Sequence, residues 1–92
     1  MKSQSTLIRV DGRTAAQSLT EARAALPEEA GADVVLDMSS VSRVDPAAVN
    51  ALTELAAAAE ERQQVATLRG VVVDVYRVLK LTGLAARFRF LH

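Results

Sequence analysis

The chain has 92 residues, half of them apolar, and its eleven Lys and Arg residues balance eleven Asp and Glu residues. This length has room for one domain, 1–92, with one modest core. The two signs of charge are interspersed and cysteine is absent, which argues against a nucleic-acid surface, disulfides, thiolate metal sites and thiol nucleophiles. No apolar run of signal-peptide or transmembrane length occurs, so we expect a cytoplasmic protein without direct membrane insertion.

A strand and a helix are predicted first. Residues 6–10 are mostly β-branched or apolar and end at an Asp-Gly turn signal, which predicts a strand. The apolar residues that follow recur at spacings of four, three and four from Ala15 to Leu26. This periodicity predicts an amphipathic helix that Pro27 ends.

The middle of the chain predicts a buried strand, a loop and a second helix. Residues 33–38 read DVVLDM, a continuous run typical of a central strand covered on both faces. A serine-rich loop then reaches Asp45-Pro46, where a helix-capping residue precedes a proline suited to the first helical position. We therefore predict a helix that begins at Pro46, with its apolar face running to Ala59 and a solvated end over residues 60–64.

The last third of the chain again predicts a strand, a helix and a strand. Residues 65–69 predict a short strand closed by Gly70, and the apolar positions between residues 75 and 82 predict a third helix before Gly83. Residues 87–91 alternate and predict an edge strand. The order β-α-β-α-β-α-β predicts a layered α/β domain with mostly parallel strands and right-handed crossovers.

Two segments resemble signatures of the STAS domain family. Residues 35–45 (VLDMSSVSRVD), followed by an apolar helix, resemble the central STAS signature. Residues 78–84 (VLKLTGL), followed by Phe88, are similar to the terminal helix-and-turn motif of anti-sigma factor antagonists. The resemblance implies a mixed, mostly parallel sheet covered by helices. It also implies a non-catalytic module that binds an anti-sigma factor or switch kinase.

The start of the second helix departs from the family pattern. Many members have Asp-Ser, a second small residue and Gly where this chain reads Asp45-Pro46-Ala47-Ala48. The resemblance puts Pro46 at the usual phosphoacceptor position, and proline has no hydroxyl to phosphorylate. Three serines of the preceding loop could accept a phosphate instead, although such serines usually bond to backbone groups. They are Ser39, Ser40 and Ser42.

The resemblance also implies that the partner binds this loop and the helix start. A loop that enters a helix exposes free amides and the positive end of the helix dipole, and the small side chains of Ala47 and Ala48 permit close approach. The predicted partner-binding residues are Ser40, Ser42, Arg43, Asp45, Pro46, Ala47 and Asn50.

Three alternatives remain open for this surface. Asp45 either contacts the partner or serves only as a helix cap, and Asp37 either faces the same surface or bonds to loop amides. The docking surface could instead be the exposed face of the third helix, around Asp74, Arg77 and Lys80.

A second resemblance suggests an alternative function. Residues 41–45, residues 68–71 and the pairs Val75-Tyr76 and Lys80-Leu81 are similar to the STAS subunit of Mla-type lipid-transport ABC systems. In those systems the module lies against a cytoplasmic ATPase, so the alternative partner is an ABC transporter ATPase.

The residue pattern gives no indication of enzyme activity. The four glycines are scattered, so no phosphate-binding GxxxxGK loop is present, and the single histidine is the terminal residue His92. A domain without internal His or Cys lacks the usual general bases and nucleophiles. We therefore expect no catalytic residue, no metal site and no cofactor.

Overall fold

The computed structural model describes residues 5–91, which alternate between strands and helices. Short 3-10 turns precede the first helix, over Gly12–Thr14, and the last strand, over Leu84–Arg87. His92 and the first four residues lie outside the described part. The strands and helices are β1 (Ser5–Arg9), α1 (Ala15–Ala24), β2 (Asp33–Asp37), α2 (Pro46–Glu61), β3 (Val65–Arg69), α3 (Val73–Leu81) and β4 (Arg89–Leu91).

The four strands form one sheet in the order β1-β2-β3-β4, and every pairing between them is parallel. The predicted α/β class is confirmed. The resemblance implies a mixed, mostly parallel sheet, and all pairings among the described strands are parallel. Parallel neighbours need crossover connections, and α1, α2 and α3 provide them. β4 is an edge strand, as the sequence predicts.

The helices lie on one face of this sheet. Crossovers between parallel strands are right-handed as a rule, and three that step in the same direction put their helices on the same side. Burial agrees, because Val34 and Leu36 of β2 are fully buried whereas Val35 between them is only half-buried. The prediction that residues 33–38 are covered on both faces is therefore wrong. The run is continuous because apolar Val35 also occupies the face without helices.

The core lies between the sheet and the helices. α2 packs mainly small residues and two leucines inward, so that α1 can approach it closely, and Val75 and Leu79 anchor α3 to the same core. Each fully buried leucine contributes roughly 1.5–3 kcal/mol to folding. The largest fully buried side chains are Leu19, Leu36, Met38, Leu52, Leu55, Leu68, Leu79, Val10, Val34, Val41 and Val75.

The end of α2 differs from the sequence prediction. The sequence predicts a solvated end over residues 60–64, but the Gln64 side chain is buried and its amide donates to the carbonyls of Pro27 and Glu29. Gln63 has a φ of 57°, a left-handed conformation that turns the chain after the helix. Gln64 thereby fastens the end of α2 to the segment between α1 and β2, a contact that no local pattern predicts.

Candidate partner-binding site

The predicted partner-binding residues lie on the loop between β2 and α2 and on the first turns of α2. We call this set the docking loop: Ser40, Ser42, Arg43, Asp45, Pro46, Ala47 and Asn50. All seven are exposed. Ala48, which the sequence suggests as a second small contact residue, is fully buried. Of the two alanines, only Ala47 can therefore contact a partner.

The start of α2 is fixed by its cap. Asp45 has an extended backbone, and its Oδ1 accepts a hydrogen bond of 2.8 Å from the Ala48 amide. Pro46 occupies the first helical position, where a missing N–H costs nothing. The predicted helix start is confirmed, and the capping role proposed for Asp45 is present. Asp45 as a whole remains exposed, so the cap leaves room for a partner contact.

Asp37 fixes the start of the loop. The amide and the hydroxyl of Ser39 both donate to Asp37 Oδ1, at 3.0 and 2.7 Å. The Ser39 hydroxyl, followed by its amide, lowers the pKa of Asp37; burial opposes this shift, and Arg69 and Arg9 add to it. Asp37 is only 8% exposed. Its side chain therefore bonds to the loop and offers little surface to a partner.

Two glycines from neighbouring segments lie directly against the start of the loop between β2 and α2. A Cβ at Gly12 would lie 1.8 Å from the carbonyl oxygen of Ser40. A Cβ at Gly70, whose φ is +72°, would lie 2.8 Å from Cβ of Ser39. Neither position has room for a side chain, so both glycines pack directly against residues 39–40, and we call these two contacts the glycine clamp. In the sequence these glycines are recognisable only as turn and strand-end signals, because their contacts join residues far apart in the chain.

A groove connects the docking loop with α3. Its volume is about 410 Å³, and its walls are residues 42–44 on one side and Asp74 and Val78 on the other. The docking loop and the alternative surface on α3 therefore border one depression. A partner seated in this groove would contact both.

The described residues offer neither a metal cluster nor a membrane-spanning helix. Within residues 5–91, no three His, Cys, Asp or Glu side chains cluster closely enough to hold a metal ion. No helix in that range is long and apolar enough to cross a membrane. The described site consists of hydrogen-bonding groups, one guanidinium group and small side chains.

Comparison with known proteins agrees with this architecture. A family model described as "Mlab, STAS domain" matches residues 1–91. No curated protein matches the sequence significantly. Two solved structures are similar at low sequence identity, which supports the fold alone.

The first is a sulfate transporter family protein from Wolinella succinogenes. It has a TM-score of 0.75 and 20% identity, over 98% of this chain and 80% of that one. The second is a putative anti-sigma factor antagonist from Thermotoga maritima, with a TM-score of 0.68 and 13% identity, over 97% of this chain and 81% of that one. Since the family model spans nearly the whole sequence, the chain belongs to the STAS domain family that this model describes.

Proposed function

We propose that the chain is a non-catalytic interaction module that binds a regulatory protein, an anti-sigma factor or switch kinase, through the docking loop. The observation that carries this proposal is an exposed polar loop whose last residue, Asp45, caps α2 and whose first residues pack closely against Gly12 and Gly70. A surface held in one conformation loses little entropy on binding, so its contacts yield more affinity.

Replacing Ala47 with Arg tests the surface directly. Ala47 is exposed and lies in the middle of the docking loop, so Ala47→Arg adds bulk and charge there without entering the core. We expect partner binding, measured by calorimetry, to be abolished while the thermal unfolding midpoint stays nearly unchanged. The test partner is an anti-sigma factor or switch kinase from the same genome, chosen first among the products of neighbouring genes.

Ala57→Arg is the matched control, because Ala57 is also exposed on α2 but lies ten residues further along the helix. It should bind the partner as the unsubstituted chain does. If Ala47→Arg binds equally well, docking through this loop is wrong.

We further propose that the module is permanently in its unmodified form. Neither Pro46 nor Ala47 has a hydroxyl, the hydroxyl of Ser39 is engaged with Asp37, and Ser40 and Ser42 precede the helix start at which the family carries its phosphate. A phosphate at this helix start would change the charge of the surface that binds the partner. Because no phosphate is added there, the affinity for the partner stays constant. Incubation with the switch kinase and ATP should leave the intact mass unchanged. The Pro46→Ser variant is the positive control, and a stoichiometric phosphate anywhere in residues 39–53 of the unsubstituted chain contradicts the proposal.

A second candidate partner is the ATPase of an Mla-type phospholipid-transport ABC system. The specific observation in its favour is the family model, whose description names Mlab and which covers residues 1–91. Co-elution of the chain with an adjacent-gene ABC ATPase, and not with an anti-sigma factor or kinase, selects this candidate. Each of these partners works in the cytoplasm, where we therefore propose that the chain acts.

A further inference from the structure

Exposed apolar side chains are concentrated at one edge of the molecule. Of the six large apolar residues exposed within residues 5–91, five lie on or just before α3 or at the end of β4. The sixth, Leu7, lies on the sheet face without helices. We call the five the edge patch: Val72, Val73, Tyr76, Leu81 and Leu91.

Three residues of the edge patch line a concave site. A groove of about 400 Å³ lies between the start of α3 and the end of β4, and Val73, Tyr76 and Leu91 line it. The Tyr76 ring packs edge-on against Phe90 with the ring centroids 5.2 Å apart, which gives the groove a rigid wall. Among the described strands β4 pairs only with β3, so its outer edge stays open beside the groove. A concave apolar groove fits an inserted side chain, whereas a lipid surface requires apolar groups that protrude.

The charges around the edge patch select the kind of segment that fits. α3 has three charged residues, of which Asp74 is acidic and Arg77 and Lys80 are basic, and Arg89 is exposed on β4. Neither Arg77 nor Lys80 forms an ion pair with another described residue. A second copy of the chain would bring these cations together, while carboxylates on a partner would complement them.

We propose that the edge patch binds an apolar segment of the protein partner, in which carboxylates flank the apolar side chains. This inference rests on the proposed function, because the same partner would span the groove between Ser42 and Val78. The docking loop has no large apolar residue, and binding energy is concentrated in buried aromatic and apolar anchors. The edge patch supplies those anchors, and the docking loop supplies orientation.

Paired variants test the energetic role of the edge patch. Val73 and Leu81 are 66% and 87% exposed, so the double variant Val73→Ser/Leu81→Ser should fold normally and bind the partner at least about tenfold more weakly. The matched control is Leu7→Ser, which removes an apolar side chain that is 58% exposed on the other face of the sheet. Its affinity should stay within about twofold of the unsubstituted chain. Arg77→Glu/Lys80→Glu should also weaken binding about tenfold or more, because it reverses the charge around the groove.

Hydrogen exchange of the chain, alone and with an anti-sigma factor, a switch kinase or an ABC ATPase from the same genome, locates the contact. Protection of amides in residues 72–81 and 89–91, together with those of the docking loop, supports the inference. Protection of the docking loop alone, with unchanged affinity in the edge-patch variants, overturns the inference and keeps the proposed function. Failure of all three proteins to bind overturns both.

Two further occupants are tested with the same variants. Vesicles of phosphatidylglycerol and phosphatidylcholine probe a membrane, and sedimentation of the purified chain probes a second copy. If either occupant protects the edge patch and the protein partner does not, the inference is wrong.

Discussion

The docking loop and the edge patch are built differently, although residues 42–44 and α3 border one groove. The docking loop is polar, and its shape is fixed by the Asp45 cap and by two glycine contacts. The edge patch is apolar, and α3 is held by its buried side chains Val75 and Leu79 rather than by capping side chains. The difference suggests that this small fold separates the geometry of recognition from the apolar contacts that supply affinity.

The largest expected effect comes from breaking the glycine clamp. In Gly12→Ala the new Cβ would overlap the backbone carbonyl of Ser40, which cannot move aside by changing a rotamer. We expect a loss of more than about 3 kcal/mol in the free energy of unfolding, measured by urea denaturation, because overpacking against backbone is costly. Partner binding should weaken in parallel.

Gly31→Ala separates this clash from ordinary glycine strain. Gly31 has a φ of +80°, and a Cβ added there would have no neighbouring atom within 4 Å, so its substitution costs only conformational strain of roughly 1–2 kcal/mol. Equal losses for the two variants would show that the Gly12 contact does not hold the loop. Tyr76 is the single tyrosine of a chain without tryptophan, so its fluorescence reports whether the edge patch is disturbed as well.

The second effect sharpens the role of Asp45. Asp45→Ala removes the acceptor of the Ala48 amide and should cost about 1 kcal/mol in the free energy of unfolding. Asp45→Asn keeps an acceptor and should cost much less, since Asn is an equally good cap. If Asp45→Asn keeps its stability but loses partner affinity by calorimetry, the carboxylate contacts the partner. If both are retained, Asp45 acts as a cap alone.

The elements that the sequence predicts well are those with local signals. The start of α2 needs only Asp45 and Pro46, and β3 matches its predicted residues 65–69. The 3-10 turn over Leu84–Arg87 shortens the predicted last strand, because Leu84 turns into the core before β4 begins. Such a turn has no periodicity that a strand pattern could reveal.

The features missed at the site depend on contacts between distant residues. Gly12 is recognisable as a turn residue, but its contact with Ser40 requires the parallel pairing of β1 with β2. The edge patch did leave a signal, because Val73 and Leu81 fall outside the buried stripe of α3. Apolar residues beyond the stripe that packs on the core indicate a surface available for another contact.

The smallest expected effect is a dependence of the free energy of unfolding on pH, which arises at Asp37 beside the docking loop. The Ser39 hydroxyl and amide lower the pKa of Asp37 below its ordinary value of 3.8, so the unfolded chain takes up a proton at a higher pH than the folded chain. The stabilisation by ionised Asp37 is complete above that ordinary value and is lost as the pH falls through the lowered one. Ser39→Ala removes the first cause of the shift. It should therefore destabilise the protein at neutral pH, with a deficit that shrinks on acidification.

Urea denaturation between about pH 7 and pH 2.5 measures this deficit. The Arg87 side chain lowers the pKa of Glu60 in the same direction, so both the unsubstituted chain and Ser39→Ala lose stability in acid from that pair. Glu60→Gln is the control, because it removes the shared contribution and should leave the shrinking difference at Asp37 intact. A deficit of Ser39→Ala that stays constant across this range would mean that the hydroxyl acts by packing rather than by its bond to the carboxylate. The glycine clamp and the Asp45 cap would then stabilise the docking loop, and the charge of Asp37 in β2 would contribute nothing.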